Sequence, residues 1–276
     1  MRSLLITFLL AVSILCGEYK VMDVSVHNGV IDWAKVKNSG INGVIIRCGY
    51  GSDIVSQDDE RFHYNVQGCI DNGIPFGIYL YSYAYSEEQA RSEAAHVMRL
   101  VNPYKNKLSL PVYYDLEENG IQDVAVRNGK IFLEILKNKG YAVGVTGTES
   151  WFNYYFKDHF NGYSLWVAKY GPDDGYPHNS PNIYGVYDMW QYSSKCRVSG
   201  VSTNVDLSIC YRDIPGISGT PLTPSDPDDI HNKTIDQLAR EVIAGLYGSG
   251  EERKQKLGDL YEAVQRRKKT KIRRFI

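Results

Sequence analysis

The chain has 276 residues, enough for one large domain with a small appendage. With 43% hydrophobic and 23% charged residues it reads as a folded globular protein, and its net charge of −1 gives no overall case for nucleic-acid binding. Tyrosine is over-used, 22 residues against 8 phenylalanines; a flat apolar face with a hydroxyl handle suits a wet, sugar-holding groove, and equally a barrel core.

Residues 1–17 read as a secretory signal. Arg2 supplies the positive start, and Leu4 to Leu15 is almost wholly apolar but too short to span a bilayer before polar Glu18 and Lys20 follow. The alternative is a buried N-terminal strand. No other segment is apolar enough for long enough to cross a membrane, so the chain is expected to be secreted and to act extracellularly or at a cell wall, as a monomer. Loss of Cys16 with the signal leaves Cys48, Cys69, Cys196 and Cys210. There is no CxxC pair, and the His residues have no ligand spacing, so no metal site is expected. Cys196 and Cys210 flank a Gly/Ser-rich turn and can face each other across a hairpin, which in an exported protein would allow a disulfide. Cys48 and Cys69 fall at small apolar positions suited to core thiols.

In chain order, Tyr19 to Val26 is a first strand. Asp32 caps a short helix through Trp33 and Val36, stopped by Gly40. Gly43 to Cys48 is a β-branched run that predicts a buried strand, followed by the loop Gly49-Tyr50-Gly51. Asp58 to Asn72 is a helix with Phe62, Val66, Cys69 and Ile70 on one stripe. Phe76 to Tyr83 is a strand, and Ser86 with Gln89 forms a capping box opening a helix with Ala90, Ala94, Val97 and Met98 inside. Leu110 to Gly120 then holds the key stretch: an apolar and aromatic run closed by Asp115-Leu116-Glu117 before Asn-Gly breaks the chain. Side chains alternate along a strand, so Asp115 and Glu117 share a face, with Cα atoms roughly 6.6 Å apart. Two acids there are costly to bury unless they are hydrogen-bonded or used; a solvated acidic turn is the bland alternative. Val124 to Lys137 is a further helix. Tyr141 to Thr146, Leu165 to Tyr170, Val186 to Tyr192 and Val205 to Tyr211 are the remaining strands.

Alternating strands and helices through the first two thirds argue for a parallel α/β sheet, and the strand-rich last third argues for an incomplete helical ring. An irregular TIM-like (β/α) barrel fits better than an open sheet, because no Gly-rich phosphate loop follows the first strand. Functional-looking residues sit at many strand ends, where barrels carry their chemistry: Asp23, Tyr50, Tyr83, Asp115 with Glu117, Thr146, Lys169 with Tyr170, and Gln191 with Tyr192.

Residues 18–213 thus form a catalytic barrel and 214–231, with Pro215, Pro221, Pro224 and Pro227, a linker. Residues 232–268 form a small all-α module: Ile235, Leu238, Ala239, Val242, Ile243 and Leu246 follow helical spacing, and Glu251 to Leu257 and Tyr261 to Gln265 are short helices that cover that face. Residues 269–276 complete a strongly basic tail, either a solvated end or a segment attracted to an anionic wall polymer.

Asp23-Val24-Ser25, Ile31-Asp32-Trp33, Ile45-Ile46-Arg47, Gly49-Tyr50-Gly51, Tyr114-Asp115-Leu116-Glu117, Leu165-Trp166-Val167-Ala168, Trp190-Gln191-Tyr192 and Val205-Asp206 together resemble glycoside hydrolase family 25, the N-acetylmuramidase lysozymes. The resemblance runs from about Val21 to Tyr211. It implies a barrel with a long groove and hydrolysis of the β-1,4 bond between N-acetylmuramic acid and N-acetylglucosamine in peptidoglycan. Carried over by position, it places the acidic set on Asp23, Asp115, Glu117 and Asp206. Residues Thr234 to Gln265 resemble the small cell-wall-binding helical repeat of some phage lysozymes, here in one shortened copy, which implies a muropeptide or wall polymer as ligand.

Glycosidic cleavage needs a proton for the leaving oxygen and stabilisation of an oxocarbenium-like transition state. Glu117 is the candidate acid, with a neighbouring carboxylate and apolar walls raising its pKa, and Asp115 the candidate ionised partner. Asp115 either orients the substrate's own acetamido group, as in substrate-assisted enzymes, or attacks directly; water activation by Asp23 or Asp206 is a third route. Asp23 and Asp206 are assigned to electrostatic support. Tyr50, Tyr81, Tyr83, Trp166, Lys169, Tyr170 and Gln191 are candidate groove residues, each with core packing as the alternative. The chemistry needs no cofactor. Two competing readings are a non-catalytic wall-binding or immunomodulatory barrel, which would be expected to lack Asp115 or Glu117, and an endo-acting enzyme on chitin-like polymers.

Overall fold

The computed structural model describes residues 19–184, 186–212 and 214, and, nearer the C-terminus, residues 235, 238, 242, 247 and 250–266. The expected signal, nearly all of the linker and the basic tail lie outside the described residues. The chain divides into two units, Met1–Gly219 and Thr220–Ile276.

In the first unit eight strands close into a barrel in sequence order: β1 Tyr19–Val24, β2 Gly43–Tyr50, β3 Phe76–Tyr81, β4 Val112–Asp115, β5 Val143–Thr148, β6 Ser164–Ala168, β7 Met189–Cys196 and β8 Val205–Cys210. Strands β1 to β7 run parallel. Strand β8 is antiparallel to both its neighbours. The crossovers carry helices α1 Trp33–Lys37, α2 Phe62–Asp71, α3 Glu87–Val101, α4 Gln122–Asn138 and the short α5 Glu149–Trp151, which runs into one π-helical turn, Phe152–Phe156. Asp32 caps α1 by accepting from the Lys35 amide at 3.1 Å, and Ser86 and Gln89 form the expected capping box on α3. Between β7 and β8 a short connection replaces a helix, so the ring of helices is incomplete, as the spacing of the last third predicts.

Helix α2 starts at Phe62 rather than at the expected Asp58, because Asp58 and Asp59 are engaged elsewhere. Asp59 accepts from the Val26 amide at 2.9 Å and from Arg47 Nε at 2.8 Å. Asp58 takes Arg99 Nη1 at 2.9 Å and His96 Nε2 at 2.8 Å. These bonds hold the chain open as a loop until Phe62.

Alternation along the strands sorts the barrel into an outer face, packed on the helices, and an interior. Tyr19, Val21, Ile45, Tyr113, Trp166, Met189 and Cys210 form one buried cluster, with Tyr79 against it. Contacts between non-adjacent strands identify this as the barrel interior: the rings of Tyr79 and Trp166 meet edge-on at 6.1 Å, and Trp166 Nε1 donates to Ser208 Oγ at 3.0 Å. Large interior rings demand small neighbours. A Cβ added to Gly144 on β5 would lie 2.5 Å from the Ser164 carbonyl and 2.6 Å from the Tyr113 ring. One step further along the same interior face, the apolar layer gives way to Asp23, Arg47, Tyr81, Asp115, Gln191 and Asp206.

The hairpin corrects the expected cysteine pairing. Cys196 lies opposite Val205, whereas Cys210 lies opposite Met189. Cys210 lies five steps along β8 from Val205, about 17 Å of strand, and a disulfide needs Cα atoms within about 7 Å. The two buried thiols therefore sit at opposite ends of the hairpin and are not joined.

In the second unit, Gly250–Leu257 is helical, followed by a 3-10 turn at Gly258–Leu260 and a helical segment to Arg266. Leu238, Val242, Tyr247, Leu257 and Val264 form one small buried cluster, with Ile235, Leu260 and Tyr261 against it. Of the expected apolar stripe, Ile235, Leu238 and Val242 are among the described residues, and they meet Leu257 and Val264 here; Ala239, Ile243 and Leu246 lie outside the described residues.

Candidate active site

The acids assemble because of strand register. Asp23 near the end of β1 lies directly opposite Asp206 near the start of β8. Only the reversal of β8 puts the beginning of that strand at the rim where the parallel strands end. On β4, Asp115 is flanked by Tyr81 of β3 and Thr146 of β5. The Leu116 amide donates to the Thr146 carbonyl at 3.1 Å, so the extended backbone continues past Asp115 and Glu117 emerges on the same side.

Such a set of carboxyls in one enclosed place must hold protons. Burial, then repulsion by Asp206, pushes Asp23 well above the usual carboxylate range, opposed by a hydrogen bond from Gln191. Asp115 is also pushed well up, by burial and then by Glu117 and Asp23, with Arg47 pulling the other way. Burial raises Glu117, and the Thr148 amide offsets part of this. Asp206 is raised to about 6 by burial and then by Asp173. The expected division, with Glu117 protonated and Asp115 ionised, is not drawn between the two here: both carboxyls are driven toward the neutral form. Asp115 Oδ1 is buried with no hydrogen-bond donor among the described residues.

The expected groove residues separate into different roles. Tyr50, Tyr81 and Tyr83 line one cleft together with Arg47. Their rings touch in sequence, Tyr50 to Tyr83 at 6.0 Å and Tyr83 to Tyr81 at 5.2 Å, and the Tyr81 hydroxyl donates to Glu118 Oε2 at 3.1 Å. Tyr83 is 42% exposed. Lys169 Nζ donates to Glu149 Oε1 at 2.9 Å, tying the end of β6 to α5. Tyr170 and Gln191 bond to each other at 2.8 Å, and Gln191 reaches both Asp23 and Asp206. Trp166 departs from expectation. It is buried below the acids with its indole N–H on Ser208, so it packs the barrel interior.

Sequence reasoning assigns no role to Arg47 or Tyr79. Arg47 is the one cation in an otherwise apolar β2, and that contrast is the available signal; its Nε is held by Asp59 while its charge acts on Asp115. Tyr79 carries no signal in the sequence, being one tyrosine among 22. Among the described residues no group of three or more His, Cys, Asp or Glu could hold a metal ion.

Residues 22–201 match the model of glycosyl hydrolases family 25, and residues 236–269 match the CW_7 repeat. Asp206 lies just beyond the first match. An autolytic lysozyme of Clostridium acetobutylicum is 27% identical over 222 residues, covering 79% of this chain and 64% of that protein. The lysozyme of Streptococcus phage Cp-7 is 25% identical over 245 residues, covering 81% of this chain and 63% of that protein. The chain therefore spans a little under two thirds of the length of these relatives. Among solved structures, the catalytic domain of endolysin ply40 from bacteriophage P40 of Listeria monocytogenes aligns with a TM-score of 0.62 at 28% identity, over 70% of this chain and 93% of that one. The modular autolysin LytC from Streptococcus pneumoniae gives 0.60 at 30% identity, over 70% and 47%. A family match that begins in the first barrel strand and ends at the turn before the last, on a barrel shared with solved relatives, establishes that the chain belongs to glycosyl hydrolase family 25.

Proposed function

We propose that the protein is a lysozyme, an N-acetylmuramidase that hydrolyses the β-1,4 bond between N-acetylmuramic acid and N-acetylglucosamine in peptidoglycan. The observation that carries the reading is the enclosed acidic set at one rim, with Asp115 and Glu117 adjacent, beside a tyrosine-lined cleft. The likeness to lysozymes and autolysins supports the same substrate class.

In this reading Glu117 protonates the leaving oxygen and then activates water. Asp115 serves the N-acetyl group. Its buried Oδ1 lacks a donor, and the acetamido N–H of the sugar supplies one. A hydrogen bond to the charged form favours ionisation, so sugar binding moves the shared proton from Asp115 to Glu117, where acid catalysis needs it. The acetamido carbonyl, oriented in this way, attacks the anomeric carbon as the bond to the leaving oxygen breaks. Asp206, with the Asp23 carboxyl beside it, gives electrostatic support around the developing cation.

Residues 18–213 are the catalytic domain, 214–231 a linker, and 232–268 a module that holds the enzyme on a wall muropeptide or polymer. The enzyme is secreted by way of residues 1–17 and works as a monomer at the bacterial wall.

Glu117→Gln tests the core of this. It removes the acid with little change in volume, and general acid catalysis contributes about 10²- to 10⁴-fold. Wall lysis should fall by that order with the fold intact; near-native lysis would sink the assignment. Digestion by the native enzyme should release new reducing ends on muramic acid. A reading as a chitin-type endo-enzyme predicts new reducing ends on N-acetylglucosamine instead.

A further inference from the structure

Asp23 and Asp206 are directly opposed across the β1–β8 pair, an arrangement that destabilises the sheet whenever both are ionised. A mediator is on the next strand. Gln191 of β7 is 8% exposed, and its Nε2 lies 2.9 Å from Asp23 Oδ2 and 3.2 Å from Asp206 Oδ2. An amide nitrogen carries two hydrogens, so one side chain can serve both carboxylates at once. The surroundings of the amide fix its sense. Turned over, its oxygen would face two carboxylates. In the observed sense Oε1 accepts from the Tyr170 hydroxyl at 2.8 Å. Tyr170 follows β6, so residues from four elements are locked together through one amide.

We propose that Gln191 is a positioning residue for the hydrolytic reaction: its amide, oriented by the Tyr170 hydroxyl, clamps Asp23 and Asp206 into a single unit and sets the pH at which that unit takes up a proton. This rests on the reading of the acidic rim as the lysozyme site. The clamp replaces the bland assignment of Gln191 and Tyr170 as groove-lining groups, since the polar atoms of the amide are already turned inward.

Other groups face the clamp and bear on its titration. Asp115 and Glu117 approach from β4, Asp173 from the segment after β6, Tyr79 from β3, and Tyr170 itself feels all four acids. Arg47 of β2 counters these charges at Asp115. The donors of Gln191 favour the ionised pair, so removing them must raise the pH at which the pair titrates.

The test is Gln191→Met, close in volume but without donors, alongside Tyr170→Phe, which deletes only the anchor. Side-chain carboxyls of Asp are followed by ¹³C NMR in protein labelled at aspartate, and wall lysis is followed as a function of pH. In Gln191→Met the Asp23 and Asp206 titrations should move up by about one pH unit, and the acidic limb of the activity profile should move with them. Tyr170→Phe should shift both in the same direction by less. Native titrations and an unshifted pH profile in both variants would overturn the proposal, even if activity fell uniformly. If Gln191→Met does not fold, an unshifted Tyr170→Phe overturns it alone. The titration needs no turnover, so it reads the clamp even if Glu117→Gln were to show that the catalytic assignment is wrong.

Discussion

Replacing Asp206 by Asn should stabilise the folded barrel at neutral pH while impairing its chemistry. Asp206 is nearly isosteric with Asn, and an Asn carbonyl can still accept from Gln191 Nε2 where the carboxylate does at 3.2 Å. The carboxyl is raised from 3.8 to about 6, first by burial and then by Asp173. A folded-state value above the unfolded one means that folding holds a proton the unfolded chain releases. Below about pH 3.8 both states are protonated and Asp206 costs nothing. Between there and about pH 6 the cost grows, and above pH 6 it is complete. A tenfold change in proton affinity corresponds to about 1.36 kcal/mol, so a rise of this size costs about 3 kcal/mol at pH 7.5. Urea unfolding of the native protein and of Asp206→Asn at pH 3.5, 5 and 7.5 measures this directly. The variant should match the native protein at pH 3.5, exceed it partly at pH 5, and exceed it by up to about 3 kcal/mol at pH 7.5. A gain of equal size at pH 3.5, or a loss at pH 7.5, would refute the claim that Asp206 is held at an electrostatic cost. Such a cost, retained at one rim of the barrel, is the pattern expected where function opposes stability.

Two other outcomes are expected. The Tyr114 hydroxyl donates to the buried Glu93 at 2.5 Å and stacks its ring on Phe132 at 3.8 Å; Tyr114→Phe keeps the stacking but withdraws a donor from Glu93, so urea unfolding should show a loss of about 1–3 kcal/mol, and an unchanged stability would mean that Glu93 is satisfied without it. Because Cys196 and Cys210 are not joined, a strong reductant should leave the thermal midpoint of the barrel in place; a drop of several degrees would show that a disulfide had been holding the hairpin.

Much of the barrel is legible from local chemistry. Ser86 and Gln89 announce a helix start because a capping box satisfies backbone donors within four residues, and that information is entirely local. The run Gly43 to Cys48 announces a buried strand because β-branched side chains on both faces have no other stable place. Asp115 and Glu117 can be placed on one side of β4 because strand alternation is fixed by the backbone. The start of α2 is not legible in this way, since Asp58 and Asp59 are taken by His96, Arg99, Arg47 and the Val26 amide, all distant in sequence.

Periodicity is the information the chain carries locally: which residues share a face, where caps and turns interrupt it, and that Asp23, Asp115 and Glu117 lie at strand ends; Asp206 is added only by the family resemblance. Periodicity does not fix the register in which neighbouring strands pair. The reversal of β8 brings Asp206 opposite Asp23 and lets Gln191 reach two carboxylates at once, and the register of the β7–β8 pair puts Cys196 and Cys210 at opposite ends of their hairpin. The same closure sends Trp166 down into the interior and Tyr81 up to the rim. Proton affinities are decided there as well, because a carboxyl's pKa depends on the charges and donors within a few ångströms, and only the closed barrel sets those distances.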